Sequence, residues 1–412
     1  MRTGRDARPS EYLCVIQGRR SCGGSVNAAA HTPHSAGDLF QLIRTGRAQS
    51  RADLARLTGL SASTVALRVE ELIARDYVEE TGHGESRGGR RPRVLAVKAG
   101  GGVVVGIDLG ERHATFALLD RRGDVVSSAV EEISLLDGVE TVVALLWKRA
   151  RELAAAHGDR VVEGVALTVP GPVDSRTSRL LAPSRMPGWN GVDVGEVLRA
   201  MTGLPVLVEN DANAMAVGEY VARGGTDEQL VFVKAGSGIG CGVVVDGAVY
   251  RGFRGVAGDI SHVSLHNAPP VICSCGRVGC LDVVASGAAI VDALRDAGVE
   301  VADLDDVLVL ARDAHPKATS LLREAGTRAG EVLATIINFF NPQTLVLGGR
   351  LPTADAFVAG VRQALFTLCL PMSTDLLEIS TSRAGVLAGA RGVAWSLLEQ
   401  LLEPSRIDAS SA

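Results

Sequence analysis

The sequence predicts an α/β protein in two parts, a winged helix-turn-helix over residues 37–98 and a two-lobed α/β body over residues 99–404. Three observations predict it. In the front part, short helical segments joined by a glycine turn precede two short strand-like runs that flank an arginine-rich loop. In the body, a strand–glycine-turn–strand unit occurs twice, once in each half. Finally, His262, Cys273, Cys275 and Cys280 bring one imidazole and three thiols into a short span of the body, a donor set that closes a tetrahedral zinc site.

Composition narrows the classes. The chain has 412 residues, 46% hydrophobic and 22% charged, enough for substantial cores. No run approaches the roughly 18 apolar residues of a membrane span, and Leu13–Ile16 is too short for a signal-peptide core. A cytoplasmic protein is expected, with no membrane partner. Thiols stay reduced there, so clustered Cys and His point to metal rather than to disulfides. Charge is divided unevenly. Residues 39–98 carry eleven basic and seven acidic side chains, whereas residues 99–412 carry 26 basic and 37 acidic. A basic front on an acidic body fits a nucleic-acid-binding module joined to another unit.

Residues 1–36 show no apolar periodicity and read as a disordered leader, in which Cys14 and Cys22 have no nearby His or Cys partner. Leu39, Leu42 and Ile43 then form one helical stripe. Ser50 caps a second helix that turns Leu54 and Leu57 inward, and Thr58-Gly59-Leu60 makes the turn. A third helix opens at Ser61 and buries Val65, Val69, Leu72 and Ile73. This is the helix-turn-helix arrangement. Ser61, Ser63, Thr64 and Arg68 are expected on the outer face of the third helix, where hydroxyls and a guanidinium reach phosphates and base edges. Tyr77–Glu80 and Val94–Val97 are the strands of a wing whose loop carries Arg87, Arg90 and Arg91. A small helical packing unit with a solvated loop would share parts of this pattern. The ordered succession of helices, glycine turn and basic wing favours binding to double-stranded DNA.

The body opens with apolar runs at Val103–Leu109 and Ala114–Leu119, joined by a turn at Gly110. A helix over 139–156 and a buried strand over 161–168 follow. The second half repeats the opening with Leu230–Lys234, the turn Gly236-Ser237-Gly238-Ile239-Gly240, and Cys241–Val245. Glycine turns of this kind let backbone N–H groups approach phosphate oxygens. Between the halves, Glu209-Asn210-Asp211-Ala212-Asn213 ends a strand and starts a helix. Asp211 is either the helix cap or a carboxylate aimed into the cleft, where it can take a proton from a sugar hydroxyl. In the cysteine loop, Gly276 and Gly279 allow the tight turn that returns Cys280 to Cys273 and Cys275. Four protein ligands leave no open position, so the site is structural. Residues 405–412 read as a flexible tail.

These motifs together resemble the ROK family of repressors, open reading frames and kinases. The resemblance runs from about Phe40 to Trp395. It rests on Ser50-Arg51-Ala52-Asp53-Leu54-Ala55, Gly88-Gly89-Arg90-Arg91-Pro92, Gly106-Ile107-Asp108-Leu109-Gly110 and Val169-Pro170-Gly171-Pro172. Pro187-Gly188-Trp189-Asn190-Gly191, Glu209–Asn213, Gly258-Asp259-Ile260-Ser261-His262, the cysteine loop and Leu347-Gly348-Gly349-Arg350 complete it. It implies an actin-like, ribonuclease H-like sugar-kinase fold for the body. It also implies a sugar site at Asn190, Asn210, Asp211, Asp259, His262 and Asp282, with Asp211 as catalytic base only if the chain is a kinase. Asp259 and Asp282 stand where the family usually has Glu. The positions of the two phosphate loops fall on Asp108, Gly110, Gly236, Ser237, Gly238 and Gly349. Where kinases read Gly-Gly-Thr, this chain reads Gly110-Glu111-Arg112. A glutamate facing phosphates and the loss of a hydroxyl argue that the nucleotide site is vestigial. The resemblance thus implies a sugar-responsive repressor with structural zinc, a sugar or sugar-phosphate effector, a DNA operator, and a homodimer or homotetramer. The alternative is a hexose or amino-sugar kinase, using ATP and Mg²⁺, with a DNA-binding appendage.

Overall fold

The computed structural model describes residues 34–83, 93–100, 102–158, 160–181 and 186–409. Its first helices are α1 (Ala36–Arg44), α2 (Arg51–Thr58) and α3 (Ala62–Ala74). Each starts on a serine: Ser35, Ser50 and Ser61 accept from backbone N–H groups in the first turn, and Ser35 and Asp38 form a reciprocal capping box. Leu39, Phe40 and Ile43 of α1 share a core with Leu54, Val65, Val69 and Leu72. Leu57 does not join them. It is 38% exposed, because α2 turns Leu54 and Thr58 inward and Leu57 lies off that line. Strands β1 (Val78–His83) and β2 (Arg93–Val97) pair antiparallel as the base of the wing. Arg87, Arg90 and Arg91 lie outside the described residues, as do residues 1–33 of the expected leader.

In the body, β3 (Gly102–Leu109), β4 (His113–Leu119), β5 (Val125–Glu132), α4 (Val139–Ala155), β6 (Val161–Val169), α5 (Val194–Thr202), β7 (Val206–Asn210) and α6 (Asp211–Ala222) form the first lobe. The second contains β8 (Gln229–Ala235), β9 (Ile239–Val245), β10 (Ala248–Val249), α7 (Leu281–Ala285), α8 (Gly287–Asp296), α9 (Leu304–Arg312), α10 (Pro316–Phe340), β11 (Thr344–Gly348), α11 (Asp355–Leu368), α12 (Pro371–Thr374) and β12 (Glu378–Thr381). The first sheet has the order β5-β4-β3-β6-β7 and the second β10-β9-β8-β11-β12. In each, a three-strand antiparallel meander is extended by two parallel strands. The doubled strand–turn–strand unit is therefore the visible part of a duplicated sheet.

The lobes meet through α6 and the penultimate helix α13 (Ala388–Leu401), which pack on each other while α13 also covers β3, β4 and β6. The last element, α14 (Pro404–Ala409), corrects the expectation of a flexible tail. Pro404 suits a first helical turn, and Ile407 is fully buried in the core shared with α1. Gly37 N–H donates to Asp408 at 2.9 Å, and Arg75 donates to the Ile407 carbonyl at 2.7 Å. Arg44, with its side chain 1% exposed, pairs with Glu399 near the end of α13. The winged helix thus rests on the C-terminal helices of the body.

Candidate functional site

A cavity of about 870 Å³ opens between the lobes. Its walls are the ends of the two sheets: the β3–β4 turn, the β7–α6 junction, the β8–β9 turn, the end of β11, and the segment from Gly255 to His262. Ligands collect at such strand ends because loops there can be shaped without disturbing the sheet.

The β7–α6 junction distributes its polar groups distinctly. Asn210, not Asp211, is the cap: its Oδ1 accepts from Asn213 N–H at 3.2 Å, and its Nδ2 donates to the Gly171 carbonyl at 2.9 Å. Asp211 is the first residue of the helix, buried, and its Oδ2 receives the Lys234 ammonium. Below them Glu209, also buried, accepts from Asn213 at 3.1 Å and from Arg251 at 2.7 Å. Lys234, the penultimate residue of β8, is not among the residues the sequence points to. The available signal was a lone lysine near the end of an apolar strand, just before a glycine turn.

Asp108, the penultimate residue of β3, stands on the opposite wall. Thr168 donates to it at 2.5 Å, and burial pushes its carboxyl up from the usual value, with Lys234 opposing the shift. The N-terminus of α13 comes so close that a Cβ on Gly389 would lie 2.4 Å from the Asp108 carboxyl carbon. In the β3–β4 turn, Gly110 N–H bonds the His113 carbonyl at 2.9 Å, while Arg112 reaches across to Asp303 in the second lobe at 3.6 Å. In the β8–β9 turn, Gly236 N–H bonds the Gly238 carbonyl and Ile239 N–H donates to Asp282 at 3.1 Å. Ser237, Gly238 and Gly349 line the cavity with these residues.

Of the residues placed at the sugar position, Asn210, Asp211, Asp259, His262 and Asp282 come together on the cavity wall. Asn190 does not: it lies exposed on the turn beside Trp189, whose buried indole N–H bonds the Leu135 carbonyl. Asp259 accepts from Ser261 at 2.5 Å.

His262 also belongs to the cysteine cluster. One donor atom from each of His262, Cys273, Cys275 and Cys280 falls within 4.8 Å of all the others. His262 Nδ1 is 3.5 Å from the Cys273 sulfur, and the Cys275 and Cys280 sulfurs are 3.6 Å apart. Tetrahedral zinc with bonds of about 2.3 Å separates its ligands by about 3.8 Å, so the donor set fits the ion. The turn through Gly276 and Gly279, at φ 83° and 68°, makes this approach possible.

On the front module, Ser61, Ser63 and Thr64 form a linked hydroxyl group at the start of α3, with Ser61 to each partner at 2.8 Å. Ser61 is committed as the cap. Arg68 is not on the outermost face. It is half-buried on the flank of α3, and its Nε is buried without a hydrogen-bond partner. Among the described residues no helix is long and apolar enough to cross a membrane.

Comparison with known proteins adds to this geometry. The ROK family profile matches residues 104–400, and a winged helix-turn-helix DNA-binding profile matches residues 39–79. The chain is 32% identical over 346 residues to a putative xylose repressor of Caldicellulosiruptor sp. (strain Rt8B.4), covering 80% of this chain and 86% of that protein. It is similar to the crystal structure of a ROK family transcriptional regulator described as a homologue of the E. coli MLC protein. That match has 28% identity and TM-score 0.75, and covers 90% of this chain and 96% of the other. A ROK hexokinase from Thermus thermophilus matches with 30% identity and TM-score 0.61, covering 72% of this chain and 99% of the enzyme.

Proposed function

Because the chain belongs to the ROK family, we propose that it is a sugar-responsive transcriptional repressor whose interlobe cavity binds a sugar or sugar derivative as effector. The observation that carries this reading is the docking of a winged helix onto α13 and α14, since the opposite end of α13 meets Asp108 in the cavity wall. A sugar that binds one arrangement of the lobes better than another shifts that equilibrium, and with it the placement of α3.

In this reading Asp211 accepts from a sugar hydroxyl, with Asn210, Asp259, His262 and Asp282 around the ring. Zinc held by His262, Cys273, Cys275 and Cys280 fixes the position of His262 and stabilises the loop. Asn190 could contribute only after a movement that brings its turn to the cavity. The operator is double-stranded DNA, contacted by α3 and by the arginines of the wing. A two-fold operator fits a homodimer or homotetramer acting in the cytoplasm.

Phosphoryl transfer is the second reading, supported by Asp108 and Asp211 facing one cavity. The first turn weighs against it. Glu111 and Arg112 stand in the first turn, and Arg112 is engaged with Asp303. ATP and Mg²⁺ belong to this second reading alone.

The test is an operator-release titration with aldoses, amino sugars and their phosphates, using wild type and Asp211→Ala. The expected result is that one sugar releases wild type. Asp211→Ala should bind the same duplex equally well yet need at least about tenfold more sugar, the scale of one lost charge-assisted hydrogen bond. Loss of DNA binding with unchanged sugar affinity would remove Asp211 from the effector site.

A further inference from the structure

Leu67 occupies the outermost position of α3. It is 73% exposed, although the helix is short of other large apolar groups on that side. At 3.6 residues per turn, Leu67 stands nearly opposite the buried Val65, Val69 and Leu72 stripe. Ser63 precedes it by one turn on the same line and Glu70 follows by one turn. Glu70 is tied to Arg51 at 2.5 Å, and Arg68 lies on the flank. The outer line of the helix therefore presents a hydroxyl, then an isobutyl group, then a paired carboxylate.

A leucine displayed to water gains nothing in the free protein; burying it against an apolar partner does. The major groove admits a helix, and the base-pair edges there are donors and acceptors except for one apolar group, the C5-methyl of thymine. Resting on the DNA-binding reading above, we propose that Leu67 is a specificity-determining residue that packs against a thymine methyl in the operator. The Ser63 hydroxyl, one turn away, faces the adjoining base edge. Sequence preference under α3 then comes from a methyl contact and a hydroxyl rather than from a guanidinium fork on guanine.

The experiment uses the full-length protein. Duplexes are selected from a random pool, and each thymine of the selected site is replaced in turn by uracil, which deletes only the methyl. Affinities are measured for wild type and Leu67→Ser; thermal melting checks that this exposed substitution leaves folding intact. At one thymine per half-site, uracil should weaken wild type about fourfold, the value of one buried methyl-sized group. The same change should leave Leu67→Ser unaffected. The inference is overturned if no uracil substitution matters, or if Leu67→Ser shows the same loss as wild type. It is also overturned if Leu67→Ser alters only self-association. Failure to enrich any duplex would instead defeat the DNA-binding reading, and this inference with it.

Discussion

Single side chains decide what the cleft can do. Asp211 is freed from capping because Asn210 takes that task, and its carboxylate is then shared with Lys234, 23 residues further on. Glu219 holds a comparable structural position. It is fully buried and accepts from Ser382 Oγ at 2.8 Å and from the Arg383 and Ala384 N–H groups, anchoring the turn that carries Gly385 and Val386 into the cavity wall. Cys275 offers the clearest residue-scale test, because it is the exposed cysteine of the His/Cys cluster. Cys275→Ser removes a ligand without opening a core cavity, so any destabilisation reports metal rather than packing. The variant should bind well under one zinc per chain and melt several degrees lower, as chelation should make wild type do. Equal melting, with no zinc in either protein, would reject a structural metal.

Among elements, α13 and α14 link ligand cleft and DNA reader. The first meets Asp108 at one end and Arg44 at the other; the second presents Ile407 to α1. Ile407→Ala should cost about 2–4 kcal/mol of local stability through the cavity it leaves. Amide exchange should accelerate in α1 while β8 and β9 keep their protection, and operator affinity should fall. Uniform destabilisation of both parts would show that the winged helix has no separate unfolding step. The signal for α14 was weak in sequence, since a six-residue helix that opens on a proline holds one buried apolar side chain.

For the whole molecule, two similar sheets face one cavity and share the α6–α13 pair as their seam. A ligand that bridges the lobes stabilises both together. An effector at about 100 times its Kd should add about 2.7 kcal/mol to unfolding, with a matching rise in melting temperature. Mg-ATP should add none. A shift with Mg-ATP that grows when sugar is present, together with phosphorylated product, would restore the kinase reading.

Periodicity, caps and glycine spacing determined the order of helices and strands, the winged helix, the doubled sheet unit and the gathering of His262 with the three cysteines of its loop. Each depends on neighbours within a few turns of chain, which a sequence records directly. Tertiary packing decided the rest. It left Leu57 exposed, moved Arg68 to a flank, placed Asn190 outside the cavity, matched Lys234 to Asp211, and tied Gly37 to Asp408 across 371 residues. A local pattern specifies which face of an element is apolar. The partner of each polar group depends on which distant face packs against it, and only the folded chain brings those faces together.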